Sequence, residues 1–171
     1  MKALAPYPLN KFNILMTGHF NGLQGLEIVA KAILKVRKSK RVFFTIIGDG
    51  FEVPLAKKIL KHNEQNNFRF IKSVKKEKYL EYIQCADLIL AGNFVDTEKG
   101  KSVIRNSTIE ALACAKLILI PDTPANKELG LKDGFNCYMC KIGDPVDLAR
   151  KINEITKLGG GYIVIFEKGL K

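Results

Sequence analysis

The regular exchange of short apolar runs with longer segments of helical spacing restricts this chain more than any other feature. Residues 12–17, 42–47, 68–71, 88–91, 117–120 and 137–140 read as strands. Between and after them, residues 23–38, 54–62, 76–85, a stretch opening at Asn106, and 145–157 read as helices. In the first helix Leu26, Val29, Ala30, Ile33 and Leu34 share one side, the spacing of an amphipathic element. Asp144 is placed to cap the last helix, with Pro145 at its first position. Strands this short, and apolar on both sides, are buried on both faces, which is the habit of parallel sheets.

Right-handed crossovers then make the expected fold α/β: a Rossmann-like, doubly wound parallel sheet of about six strands with helices on both faces. Ligands of such sheets bind beyond the carboxyl ends of the strands. Candidate site residues therefore fall in 18–24, 48–51, 72–74, 93–106 and 122–128. The longest connection, from Gly92 to Arg105, is polar and carries both signs of charge, and loops of that length are usually functional or mobile.

Asn106, Ser107 and Thr108 begin the helix that feeds the fifth strand, with Glu110 one turn inside. The unpaired N–H groups and partial positive charge of a helix N-terminus can hold a phosphate. A carboxylate one turn along can accept from a sugar hydroxyl pair. The same residues also spell a capping box, Ser107-x-x-Glu110, in which the carboxylate would fold back onto its own main chain.

A length of 171 residues suits one domain with a sizeable core. Lys and Arg exceed Asp and Glu by 28 to 17, which favours anionic partners or reflects a lysine-rich solvated surface. No apolar run nears the ~20 residues of a membrane span, and no secretory signal opens the chain. Cys137-x-x-Cys140 resembles half of a metal or redox site, but no second pair accompanies it. Side chains three apart on a strand face opposite ways, so all four cysteines read as structural thiols of a reducing cytoplasm, with no metal and no cofactor expected.

In order and spacing, the motifs resemble the C-terminal, nucleotide-sugar-binding half of GT-B glycosyltransferases, specifically the large retaining family four, called glycosyltransferase group one in older naming. The carriers are the first strand ending at Gly18, Gln24-Gly25, and Ile47-Gly48-Asp49-Gly50. Phe68-Arg69-Phe70, the run from Tyr79 to Leu88, and Ile109-Glu110-Ala111-Leu112-Ala113-Cys114 follow. Lys132-Asp133-Gly134-Phe135-Asn136 and the run from Asp144 to Ala149 complete the series. The resemblance implies that residues 1–158 form a donor-binding domain and 159–171 a tail or crossover segment.

It also implies roles. Glu110 would bind the nucleotide ribose and the amides of Ser107 and Thr108 the diphosphate, with Asn106, which opens that helix, also among the substrate-binding residues. Main-chain groups of Lys72, Ser73 and Val74 would hold the base, with Gly48 and Gly50 turning the backbone beside the ligand. Three positions depart from the family pattern. Ser102 stands where a second Glu usually contacts the sugar, and His19 and Gln24 where an Arg and a Lys usually meet the diphosphate. Charge-assisted bonds to phosphate are roughly twice as strong as neutral ones, so weaker donor binding is expected unless Arg105, Lys99 or Lys101 reaches in.

The implied function is hexosyl transfer with retention, from a UDP or GDP sugar to an unknown acceptor, in cell-surface polysaccharide synthesis. The domain would be catalytically incomplete without an acceptor domain on the same or another chain. The cytoplasm, with peripheral association at the inner membrane surface, is the expected location, and no nucleic-acid partner is expected. The alternative is a degenerate, non-catalytic domain acting as a structural or partner-binding subunit. A dinucleotide oxidoreductase is disfavoured because no G-x-G-x-x-G follows the first strand.

Overall fold

Six strands run in one direction in the order β3-β2-β1-β4-β5-β6. They are β1 (Phe12–Gly18), β2 (Val42–Gly48), β3 (Phe68–Ile71), β4 (Leu88–Leu90), β5 (Ile118–Pro121) and β6 (Tyr138–Cys140). The helices are α1 (Leu26–Lys35), α2 (Glu52–Leu60), α3 (Lys76–Cys85), α4 (Glu98–Ser102), α5 (Asn106–Ala113), α6 (Pro124–Glu128) and α7 (Pro145–Leu158). These elements belong to a computed structural model in which residues 6–36 and 41–158 are described. The first helix, expected to run to residue 38, ends at Lys35 with Val36 extended as its C-cap; residues 37–38 and the tail 159–171 lie outside the described residues.

The two-sided apolar strands are buried on both faces, as a parallel sheet requires. Ile14, Met16, Phe44, Ile46, Leu88 and Leu90 face one layer, with Val29 and Ile33 of α1, Ala56 and Leu60 of α2, and Leu148 and Ile152 of α7. Leu15, Ile47, Ile89, Ile118 and Ile120 face the other, with Tyr82 and Ile83 of α3 and Ala111 of α5. Each fully buried side chain of this size stabilises the fold by roughly 1.5–3 kcal/mol. Leu34, expected on the buried side of α1, is instead 42% exposed.

Helix boundaries follow the caps. α1 starts at Leu26 rather than residue 23, because the Glu52 carboxylate accepts from the Leu26 amide at 3.0 Å and from the Gly22 amide at 2.8 Å. Glu52 opens α2, which therefore begins two residues before the expected Pro54. α4 and α6 were expected as loop. Each is five residues long and starts on a threonine, Thr97 or Thr123, whose side chain accepts from the amide three residues on. Asp144 caps α7 as expected, accepting from the Val146 and Asp147 amides.

The connection from Gly92 to Arg105 is fastened rather than loose. The buried Asn93 carboxamide donates to the carbonyls of Gly100 and Val103, and the Phe94 amide donates to the Gln24 carbonyl. Chain otherwise free to wander is thereby held against the loop after β1.

Cys137 and Cys140 fall in opposite layers of the core, and all four cysteines are free thiols. Burial pushes both thiols up to about 12, which suppresses the reactive thiolate. At pH 8 a thiol-specific chromogenic reagent should therefore modify exposed Cys85 in the folded protein, and Cys137 and Cys140 only after denaturation. Mass-spectrometric mapping that found either buried thiol modified in the native protein would contradict this packing.

Candidate functional site

The carboxyl ends of β1, β2 and β3 and the start of α5 enclose an open crevice of about 610 Å³. Its floor is Thr17, Gly18 and His19 after β1, and Ile47 and Gly48 after β2. One wall is Lys72, Ser73 and Val74 with Tyr79 of α3. The other runs Val103, Ile104, Arg105, Asn106, Ser107 and Glu110. It lies beside the place where the strand order reverses about β1, the usual ligand position in such sheets.

The floor depends on close backbone approach. Gly48 pairs with Gly18 across the two strands at a φ of 146°, and a Cβ there would lie 1.9 Å from the Gly18 carbonyl oxygen. A Cβ on Gly18 would meet the Gln24 carboxamide at 1.8 Å. Gln24 therefore lies flat over Gly18, only 2% exposed, with its nitrogen donating to the Thr17 carbonyl at 3.0 Å. Its oxygen, also buried, has no partner among the described residues.

The walls carry the charge. α5 opens at Asn106, with Arg105 as N-cap and no side chain bonded to its first amides. Those amides, unpaired within the helix, point their partial positive charge into the crevice. The start of α1, which also follows β1, is occupied by the Glu52 carboxylate. Arg105 lines the crevice and forms no salt bridge among the described residues. Lys72 pairs with Asp49 at 3.1 Å, both side chains exposed, a contact worth little by itself. Lys101 is drawn to Asp96 and Glu98 instead of the crevice.

Glu110 does not fold back into a capping box. Its Oε2 accepts from the Tyr79 hydroxyl at 2.5 Å, and that hydroxyl lies 3.1 Å from Thr17 Oγ1. Burial first, and then the carboxylate it serves, push the Tyr79 phenol up to about 12.

Of the residues singled out in the sequence, Gly18, His19, Gln24, Gly48, Lys72, Val74, Asn106, Ser107 and Glu110 line this one crevice. Three do not. Thr108 turns to the sheet, fully buried, and its amide donates to the Arg105 carbonyl at 3.0 Å, so that amide is spent within the helix start. Ser102 ends α4 and donates to the Lys99 carbonyl, outside the crevice. Gly50 sits against the Phe20 backbone, where a Cβ would lie 2.3 Å from the carbonyl oxygen. Tyr79 and Thr17 were not singled out as site residues. They meet Glu110 only through contacts 31 and 62 residues apart in the chain, which no local pattern signals.

Residues 11–157 match the family model described as glycosyl transferases group 1. The chain belongs to that family. No curated protein matches it. Among solved structures, this glycosyltransferase-family domain is similar to Anabaena Alr3699/HepE in complex with UDP and glucose, at 17% identity and a TM-score of 0.74, over 94% of this chain and 42% of that one. It is similar to a glycosyltransferase from Rickettsia africae, at 15% identity and a TM-score of 0.74, over 94% of this chain and 44% of that one. The catalytic domain of Helicobacter pylori cholesterol-alpha-glucosyltransferase matches at 17% identity and a TM-score of 0.71, over 92% of this chain and 94% of that one. These likenesses establish the fold, and the chain spans less than half the length of the first two proteins.

Among the described residues no group of His, Cys, Asp and Glu could hold a metal ion, and no helix is long and apolar enough to cross a membrane. Replacing Gly48 with alanine forces a side chain against the Gly18 carbonyl in an unfavourable backbone region. The expected cost is at least ~2 kcal/mol, read as a lower urea midpoint with unchanged slope. A loss under ~0.5 kcal/mol would show that the floor yields easily.

Proposed function

We propose that this domain binds the nucleoside-diphosphate sugar of a retaining glycosyltransferase, with the acceptor site supplied by a second domain on the same or another chain. The observation that carries the reading is the start of α5, whose open amides at Asn106 and Ser107 face the crevice one turn from a held Glu110 carboxylate. A diphosphate at those amides brings a ribose to Glu110 and leaves the base against Lys72, Ser73 and Val74. Arg105, at the same wall, supplies a fixed positive charge to the diphosphate, where it stabilises the charge that grows on the leaving group as the sugar–phosphate bond breaks. That charge offsets what His19 and Gln24 do not supply.

Uridine is the favoured base, because HepE has been solved with UDP and with UDP-glucose; GDP sugars remain the second candidate. A cytoplasmic location, with the lysine-rich surface against acidic headgroups, suits the excess of basic residues. The specific observation favouring a degenerate, non-catalytic domain is that Gln24 spends its donor on Thr17 while Ser102 lies outside the crevice.

Calorimetric titration with UDP and GDP separates the two. Donor binding gives saturable heat with at least one nucleotide, weakened by Glu110→Gln by about tenfold or more, the usual worth of a bond to a charged group. Silence from both nucleotides at millimolar levels removes the donor reading and leaves the partner-binding one.

A further inference from the structure

The crevice holds a relay of side chains that the family resemblance does not explain. Thr17 on β1, Tyr79 on α3 and Glu110 on α5 meet through one phenol oxygen. A tyrosine has a single hydroxyl proton, and Glu110 Oε2 receives it at 2.5 Å. The Thr17 hydroxyl, 3.1 Å away, must then donate to the Tyr79 oxygen. Direction therefore runs from Thr17 through Tyr79 to Glu110. The phenol is half-buried and stays protonated at neutral pH, so its role is to donate.

Glu110 itself is exposed on α5, and nothing else that is described bonds its carboxylate. An untethered glutamate on a helix samples several rotamers, and a ligand that needs one of them bears the ordering cost. Tyr79 has borne it in advance. The phenol takes one lone pair of Oε2, while Oε1, on a side chain that lines the crevice, has no hydrogen bond among the described residues.

We propose that Tyr79 is a positioning residue, backed by Thr17, which pins one oxygen of Glu110 so that the other meets a hydroxyl of a ribonucleotide's sugar. The proposal rests on the reading of Glu110 as the ribose contact and adds what makes that contact selective. It assigns the preference for ribose over deoxyribose to a three-residue relay instead of to the carboxylate alone.

The test is calorimetry on the full chain with UDP and its 2′-deoxy and 3′-deoxy forms, for the unaltered protein, Tyr79→Phe, Glu110→Gln, Thr17→Val and Thr17→Ser. The unaltered protein should prefer UDP over one deoxy form by about tenfold or more. Tyr79→Phe should remove most of that preference while leaving affinity for that deoxy form within about twofold. Thr17→Val should lose part of it, and Thr17→Ser should keep it. Equal weakening of UDP and both deoxy forms by Tyr79→Phe would mean the tyrosine merely supports the fold, and would overturn the proposal. Preference lost in Glu110→Gln but kept in Tyr79→Phe overturns the relay and spares the ribose contact. Preference kept in both removes Glu110 from the ribose, and the proposal falls with it.

Discussion

α1 and α5 both begin beside the end of β1, and the Glu52 carboxylate decides which of them stays open. It fills the start of α1, accepting from the Gly22 and Leu26 amides, so the partial positive charge there is met within the protein. α5 has no such partner. The side chain of its N-cap, Arg105, has no acceptor and adds a charge of the same sign. The start of α5 is thus left open to an anion at one wall of the crevice, although the parallel sheet sends six strand ends to that edge.

What lies beneath that wall is set by backbone contact. Gly18 and Gly48 are paired neighbours on β1 and β2, and Gln24 lies across Gly18 where any larger residue would collide with it. The same Gln24 links the floor to the long connection, since its carbonyl accepts from the Phe94 amide. Asn93 then ties that connection to Gly100 and Val103, just before the segment that forms the charged wall. Floor and wall are thus one bonded unit. Main-chain bonds and one carboxamide connect the loop after β1 to Val103, two residues before Arg105.

Much of this was legible in the sequence, because its signals were local. β3 and α3 fall on the residues their spacing gave, and the Asp144 cap is where composition placed it. α4 and α6 were missed because five residues are too few to show an apolar period. The capping-box pattern at Ser107 and Glu110 was legible but not used, since the helix starts at Asn106 and the carboxylate finds a phenol instead. Thr108 does not reach the crevice, because its amide donates to the Arg105 carbonyl and its side chain is buried in the core. The Glu52 cap, spanning 26 and 30 residues, and the Tyr79 relay are products of tertiary folding that no window of sequence contains.

If the open start of α5 and the β1–β2 floor form one anion-receiving crevice, both respond together to a nucleotide. Amide-resolved NMR of the 15N-labelled chain during UDP addition tests it most directly. Saturable shifts should cluster at Gly18, Gly48, Asn106 and Ser107, while the Gly22 and Leu26 amides, already held by Glu52, move little. Shifts centred on Gly22 and Leu26, with Asn106 and Ser107 unmoved, would contradict the account.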